Sequence, residues 1–158
     1  PGPTHISVLK GRENYLCYRA LRSSPPDEEE DAEGWLAWTQ LVLFALTDRE
    51  GDLDRLPRQP PVRLTSAVEY RRRLGRNTAA VRARTGCCSH ADDRSTCAAE
   101  LARRRAERSH VVLTNQSFVL SRREFFRHLI FDECEHLHDV AATKLEHWWH
   151  PASVPTLR

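Results

Sequence analysis

Methionine is missing from this 158-residue chain, and lysine nearly so: Lys10 and Lys144 are the only two among 24 basic residues. The chain opens on Pro1 and runs out through His150-Pro151-Ala152-Ser153-Val154-Pro155, a breaker-rich stretch that leads out of a helix without closing anything. Together these features predict a piece of a larger protein. No apolar run approaches the roughly 18 residues that a membrane span needs. Pro1 to Lys10 also lacks the basic-then-apolar order of a signal peptide. The expectation is a soluble, cytoplasmic protein with no membrane partner. Absent too is any Gly-x-x-x-x-Gly-Lys-Ser/Thr loop, so nothing in this sequence cradles the β- and γ-phosphates of a nucleotide. There is no Cys-x-x-Cys pair, which makes zinc a poor fit.

What is present bounds the answer further. Apolar residues make up 40% and charged residues 29%, which supports a packed core and argues against wholesale disorder. The length suits one ordinary domain or two small subdomains. Formal charge is only +2, yet the cations are almost all arginine. Such a surface suits phosphate or carboxylate recognition and equally suits a GC-rich genome.

Five cysteines stand at Cys17, Cys87, Cys88, Cys97 and Cys134. An odd count without a secretory signal argues against a disulfide framework. Cys87, Cys88 and Cys97 fall in or beside a polar stretch, Thr85 to Thr96, that lacks apolar periodicity. Core cysteines belong inside apolar patterns, so this placement favours a metal or iron–sulfur site.

The chain reads as α/β. Ile6 to Leu9 is a candidate strand, and the acidic, proline-bearing Ser23 to Asp31 is a solvated loop. Ala32 to Thr47 reads as a helix with most of its faces buried, ended by Thr47-Asp48-Arg49-Glu50-Gly51-Asp52. Thr65 to Arg76 reads as an arginine-bearing helix closing near Gly75 to Asn77. Ser95 or Thr96 can cap a further helix to about Ser109, with Ala98, Ala102 and Ala106 along one side. Val111-Val112-Leu113 and Leu129-Ile130-Phe131 are short apolar runs that fit the central strands of a parallel sheet. Outside such a sheet they would leave apolar faces and edges exposed, predicting poor solubility. A final helix is expected from about Glu135 to Trp149.

Asp132 and Glu133 follow the second of these runs. A buried strand that delivers two adjacent carboxylates at its C-terminal end places them where open α/β sheets bind ligands. One carboxylate can hold Mg²⁺ and the other can polarise an attacking water. Acidic residues near a helix N-terminus are also favourable for plain dipole reasons.

Several segments, taken in order, resemble the DinG/XPD-type iron–sulfur superfamily 2 DNA helicases. Lys10-Gly11-Arg12-Glu13-Asn14-Tyr15-Leu16-Cys17 resembles the family's KGRxNYxC segment, and Thr47 to Leu53 its TxxGDL segment. Cys97 followed by Ala102-Arg103-Arg104 resembles the last cluster ligand and the helix behind it. Val111 to Phe118 resembles VVxxNHxLL, and Ile130 to Leu137 resembles the Walker B motif VIDEAHHL.

The resemblance implies a mainly helical iron–sulfur insertion over 17–110. It is preceded by the end of a motor segment, 1–16, and followed by a return to a RecA-like parallel-sheet motor domain, 111–158. It implies a [4Fe–4S] cluster with Cys17 and Cys97 as ligands. Two further ligands come from Cys87 and Cys88, or from one of them with His90 or another group; Gly86 could ease the contorted backbone that an adjacent pair needs. Cys134, at the motif's alanine, is expected to be small, buried and not a ligand. Glu135 stands where the motif has histidine.

The same resemblance makes the chain part of an ATP-dependent 5′-to-3′ DNA helicase, with Asp132 and Glu133 serving Mg²⁺ and ATP in the full-length protein. The chain alone is expected to be inactive. Its partners are then single-stranded or fork DNA and the rest of the helicase, in a bacterial cytoplasm. Arg71, Arg72, Arg73, Arg76, Arg103 and Arg104, with Arg82 and Arg84, would follow the DNA backbone while Tyr70 stacks on bases. Solvated helix faces account for the same arginines. The alternative class is a non-catalytic zinc-binding or metal-free nucleic-acid-binding or interaction module on a helicase-like scaffold, such as that of a CRISPR-associated DinG relative.

Overall fold

The computed structural model describes residues 2–61, 66–86, 97–122 and 125–145. Among these residues the chain is α/β, mainly helical, with one small parallel sheet. The elements are β1 (Ile6–Leu9), α1 (Tyr18–Ser23), α2 (Ala32–Thr47), α3 (Ala67–Val81), α4 (Ala98–Glu107), β2 (Val111–Thr114), α5 (Gln116–Ser121) and α6 (Leu137–Leu145). Two compact units result, Pro1–Val112 and Leu113–Arg158.

In the first unit, α2 packs on α3, α1 packs on both, and β1 packs on α4. Local chemistry starts each long helix. The Asp31 carboxylate accepts the Gly34 N–H at 2.8 Å to open α2, and the Ser66 hydroxyl accepts the Glu69 N–H to open α3. The core gathers Leu16, Leu21, Leu41, Phe44, Leu53 and Leu56 with Tyr70, Leu74 and Val81.

On α2 the buried residues are Gly34, Ala37, Leu41 and Phe44, a single stripe. The expectation that most of its faces are buried is corrected, since Leu43 and Leu46 are 50% and 78% exposed. Helix α3 runs through Gly75 to Val81 instead of closing there. Leu74 and Val81 are buried in the core, and that burial outweighs the roughly 1 kcal/mol that a mid-helix glycine costs. The alanine face of α4 is as expected: Ala98, Ala102 and Ala106 are buried.

Both candidate strands at the sheet form, but the third apolar run does not. Leu129, Ile130 and Phe131 have no regular secondary structure, and Ile130 is 99% exposed. Three apolar residues cannot make a strand without a neighbour to complete its hydrogen bonds, and β1 and β2 form the whole sheet among the described residues. The sheet itself is half-covered: Ile6, Val8, Val111 and Leu113 are exposed while Leu9 is buried. In the second unit, α5 packs on α6, and Phe118 meets Phe125 and Phe126 edge-on. A 3₁₀ turn, Cys134–His136, precedes α6, and the expected continuation of this helix to Trp149 lies outside the described residues.

Candidate cluster-binding site

Tyr15-Leu16-Cys17 runs between two other stretches of backbone. On one side Tyr15 bridges Asp52, and the Leu16 N–H donates to the Gly51 carbonyl at 2.8 Å. On the other, the Cys17 N–H donates to the Val81 carbonyl and the Ala83 N–H donates to the Tyr15 carbonyl, both at 2.8 Å. Cys17 is therefore fixed by backbone before its side chain plays any part. It is buried and stands at the N-cap of α1, where its sulfur accepts the Ala20 N–H at 3.4 Å. An N–H directed at sulfur is the polarity that suits a metal-bound thiolate.

Cys97, also buried, occupies the N-cap position of α4. Gly51 connects the two cysteines. It has φ +62°, and a Cβ there would stand 2.7 Å from Ala98 Cβ, 3.3 Å from the Tyr18 hydroxyl and 3.6 Å from Leu16 Cβ. Only glycine meets both demands, a left-handed backbone and close approach on three sides. The residues adjoining Cys17 (Leu16, Tyr18) and Cys97 (Ala98) thus converge on one glycine. Burial pushes the Tyr18 hydroxyl up, and the negative charges of Asp48 and Cys97 add to it.

The loop around Gly51 is held by charge. Asp48 Oδ1 accepts the N–H groups of Glu50 and Gly51 at 2.9 and 2.7 Å. Lys10 Nζ lies 2.7 Å from Asp52 and 2.8 Å from Asp54. Burial works against the Lys10 charge, but the hydrogen bonds to Asp52 and Asp54 outweigh it and hold the ammonium above its ordinary value. Arg12 reaches the largely buried Glu100 of α4 at 3.8 Å. The hydrogen bond from Arg103 holds Glu100 below the usual carboxylate range, with the charges of Arg104 and Arg12 acting in the same direction. The pairs of Lys10 with Asp52 and Asp54 and of Arg12 with Glu100 were not legible in the sequence, because their partners are remote; those of Arg103 and Arg104 with Glu100 are neighbours on one helix.

Cys87, Cys88 and His90 lie outside the described residues, and no group of three or more metal-ligating side chains occurs among the described ones. Gly86, just before that stretch, has φ +82° and open space around it. Cys134 is exposed, not buried as expected: the strand that would have packed its turn is not formed.

The candidate nucleic-acid arginines divide into paired and open. Arg73 bonds Glu30 at 2.7 Å, Glu69 at 2.7 Å and Asp31, and Arg76 bonds Glu30 at 2.7 Å. Arg72 pairs with Glu69 at 2.5 Å, and Arg103 and Arg104 both reach Glu100. Arg71 is exposed and makes no ion pair among the described residues, while the exposed Arg82 and Arg84 bond only the carbonyls of Glu13 and Ala79. Tyr70 corrects the stacking expectation. It is 0% exposed, in the core, with its hydroxyl buried and without a hydrogen-bond partner among the described residues.

Asp132 and Glu133 are both exposed in the second unit, at the turn before α6. Searches against protein-family models, curated proteins and solved structures found no match to the chain.

Proposed function

We propose that this chain is the cluster-bearing segment of an ATP-dependent DNA helicase of the DinG/XPD type, moving 5′ to 3′ and gripping or separating strands at a fork. The observation that carries the reading is the convergence on Gly51. Three segments that resemble the family (Lys10–Cys17, Thr47–Leu53 and the start of α4 behind Cys97) meet there, although about 80 residues separate the two cysteines.

Cys17 and Cys97 fit the role of ligands: both are buried, both precede helices, and backbone on two sides fixes Cys17. They hold a [4Fe–4S] cluster together with Cys87 and Cys88, or with one of these and His90. When bound, the cluster supplies a cross-link and not redox turnover, closing a loop whose free ends would otherwise cost several kcal/mol to hold. Arg71, Arg82 and Arg84 serve the phosphate backbone, and the paired arginines hold helices in place. Asp132 and Glu133 serve Mg²⁺ and the attacking water in the full-length protein, and this chain alone does not hydrolyse ATP. The exposed apolar face of the sheet and the exposed Leu129 and Ile130 support continuation into a larger parallel sheet from the rest of the helicase.

Anaerobic purification tests the reading. A brown protein with iron and acid-labile sulfide is the expected result. Colourless protein carrying zinc, or a folded protein carrying neither metal, overturns it in favour of an interaction module.

A further inference from the structure

Gln116 lies apart from the candidate cluster site, in the second unit. It is the first residue of α5, half-buried, directly after Asn115, whose side chain accepts the Phe118 N–H at 2.8 Å and so fixes the start of the helix. From there the Gln116 amide nitrogen donates to two successive carbonyls, Asp132 at 3.0 Å and Glu133 at 3.1 Å. The turn it grips is strained. Glu133 has φ +50° and ψ +45°, and it is the one non-glycine residue at positive φ among the described residues. Crowding between Cβ and the backbone disfavours that conformation for any L-residue with a side chain, so it persists only where neighbours over-determine it.

The neighbours are identifiable. Asp132 Oδ1 accepts the Glu133 N–H at 3.0 Å, and the Glu133 carbonyl accepts the His136 N–H at 3.4 Å. Gln116 supplies the remaining hold, from outside the turn and across 16 positions. An amide suits the task because one nitrogen carries two N–H groups and no charge. A carboxylate of the same shape has no donor and would set negative charge among two carbonyls and two acids.

We infer that Gln116 is a positioning residue for the Asp132–Glu133 carboxylate pair, clasping both peptide carbonyls so that Glu133 stays in its left-handed conformation and keeps its aim. The inference rests on the proposed role of this pair in ATP hydrolysis. The geometric half can be tested without that role.

In the full-length protein, Gln116→Glu removes both donors at constant shape, and Gln116→His keeps a ring N–H at similar reach. Two readouts are taken: steady-state ATPase, and amide hydrogen exchange over residues 132–136. Loss of an outer-shell partner typically costs roughly 10–100-fold in activity. Gln116→Glu is expected to lower kcat by that order with KM for MgATP little changed, the split that marks lost transition-state alignment and not lost binding. Exchange over 132–136 accelerates in the same variant, and Gln116→His recovers most of both. Wild-type exchange and kcat in Gln116→Glu, in a protein that Glu133→Gln inactivates, would overturn the inference. If Glu133→Gln keeps full ATPase activity, the proposed role of the acid pair fails and exchange alone decides the clasp: acceleration sustains it and no change rejects it.

Discussion

The two units of this chain solve the same problem with unequal success. In Pro1–Val112, apolar residues from four stretches close over one another, and Leu16, Leu41, Tyr70 and Val81 are at most 1% exposed. In Leu113–Arg158, Val119 is the one buried hydrophobic residue among those described, and Ile130 stands almost wholly in solvent. Apolar content alone does not explain the contrast, since Leu129-Ile130-Phe131 is as apolar as anything in α2. A helix satisfies its own backbone and needs only a face to bury, whereas a strand needs a neighbour for every peptide group. The first unit is built of helices that find one another. The second holds a strand-like run whose neighbour is not among the described residues.

The comparison can be broken most directly in stability. Leu41→Ala should cost about 2–5 kcal/mol, as expected for a fully buried leucine, whereas Ile130→Ala should stay within about 0.5 kcal/mol. Urea denaturation of the chain measures both, and equal costs would erase the distinction. Next in size comes Gly51→Ala. Forcing a Cβ into a left-handed residue 2.7 Å from Ala98 should destabilise the first unit by roughly 2–4 kcal/mol. A near-neutral Gly51→Ala would show that the three segments do not need their close approach.

Much of the first unit was legible in the sequence because its signals are local. The helix α2, its ending before Gly51 and the alanine face of α4 all follow from residues within a few positions of each other, whereas the narrowness of the buried stripe on α2 did not. What was not legible depends on distant partners. Nothing near Tyr70 in sequence says that its ring is buried in the core, so an aromatic among arginines reads as a stacking platform when it is core. Nothing near Gly75 announces that burial of Leu74 and Val81 carries α3 onward. The arginine runs were plain, but the neutralisation of Arg73 and Arg76 by Glu30 and Asp31 was not. In the second unit the Leu129–Phe131 pattern reads as a strand and is not one here, and Cys134 is exposed for the same reason.

Charge sharpens the comparison further, because the first unit holds the ion-pair networks. Hydrogen bonding by Arg72, then by Arg73, holds Glu69 at about 2, and Arg103 holds Glu100 below its ordinary value. Both acids are depressed in the folded protein. Their contribution is therefore complete above the ordinary glutamate value and is lost as pH falls through the folded one, for Glu69 between about 4.5 and about 2. Stability of the first unit should fall across that window, and Glu69→Gln with Glu100→Gln should flatten the fall. An unchanged acid limb in the double variant would show that other carboxylates govern it.

The smallest expected effect concerns nucleic acid. Glu30→Gln with Asp31→Asn releases Arg76 and leaves Arg73 paired with Glu69 alone, which should strengthen single-stranded DNA binding modestly. The salt dependence should steepen by about 0.7 in log–log slope for each phosphate newly contacted. Arg71→Ala should act in the opposite direction. Fluorescence anisotropy at several salt concentrations reads both, and identical slopes in all variants would make the arginines purely structural.

The central claim is that the backbone around Gly51 assembles Cys17 and Cys97 as partners in one metal centre. Iron content of the anaerobically purified full-length protein after single Cys→Ser changes tests it most directly. Cys17→Ser and Cys97→Ser should each lose iron, Cys134→Ser should retain it, and the Cys87 and Cys88 variants show whether that adjacent pair ligates jointly. Full iron retention in Cys17→Ser would contradict the account.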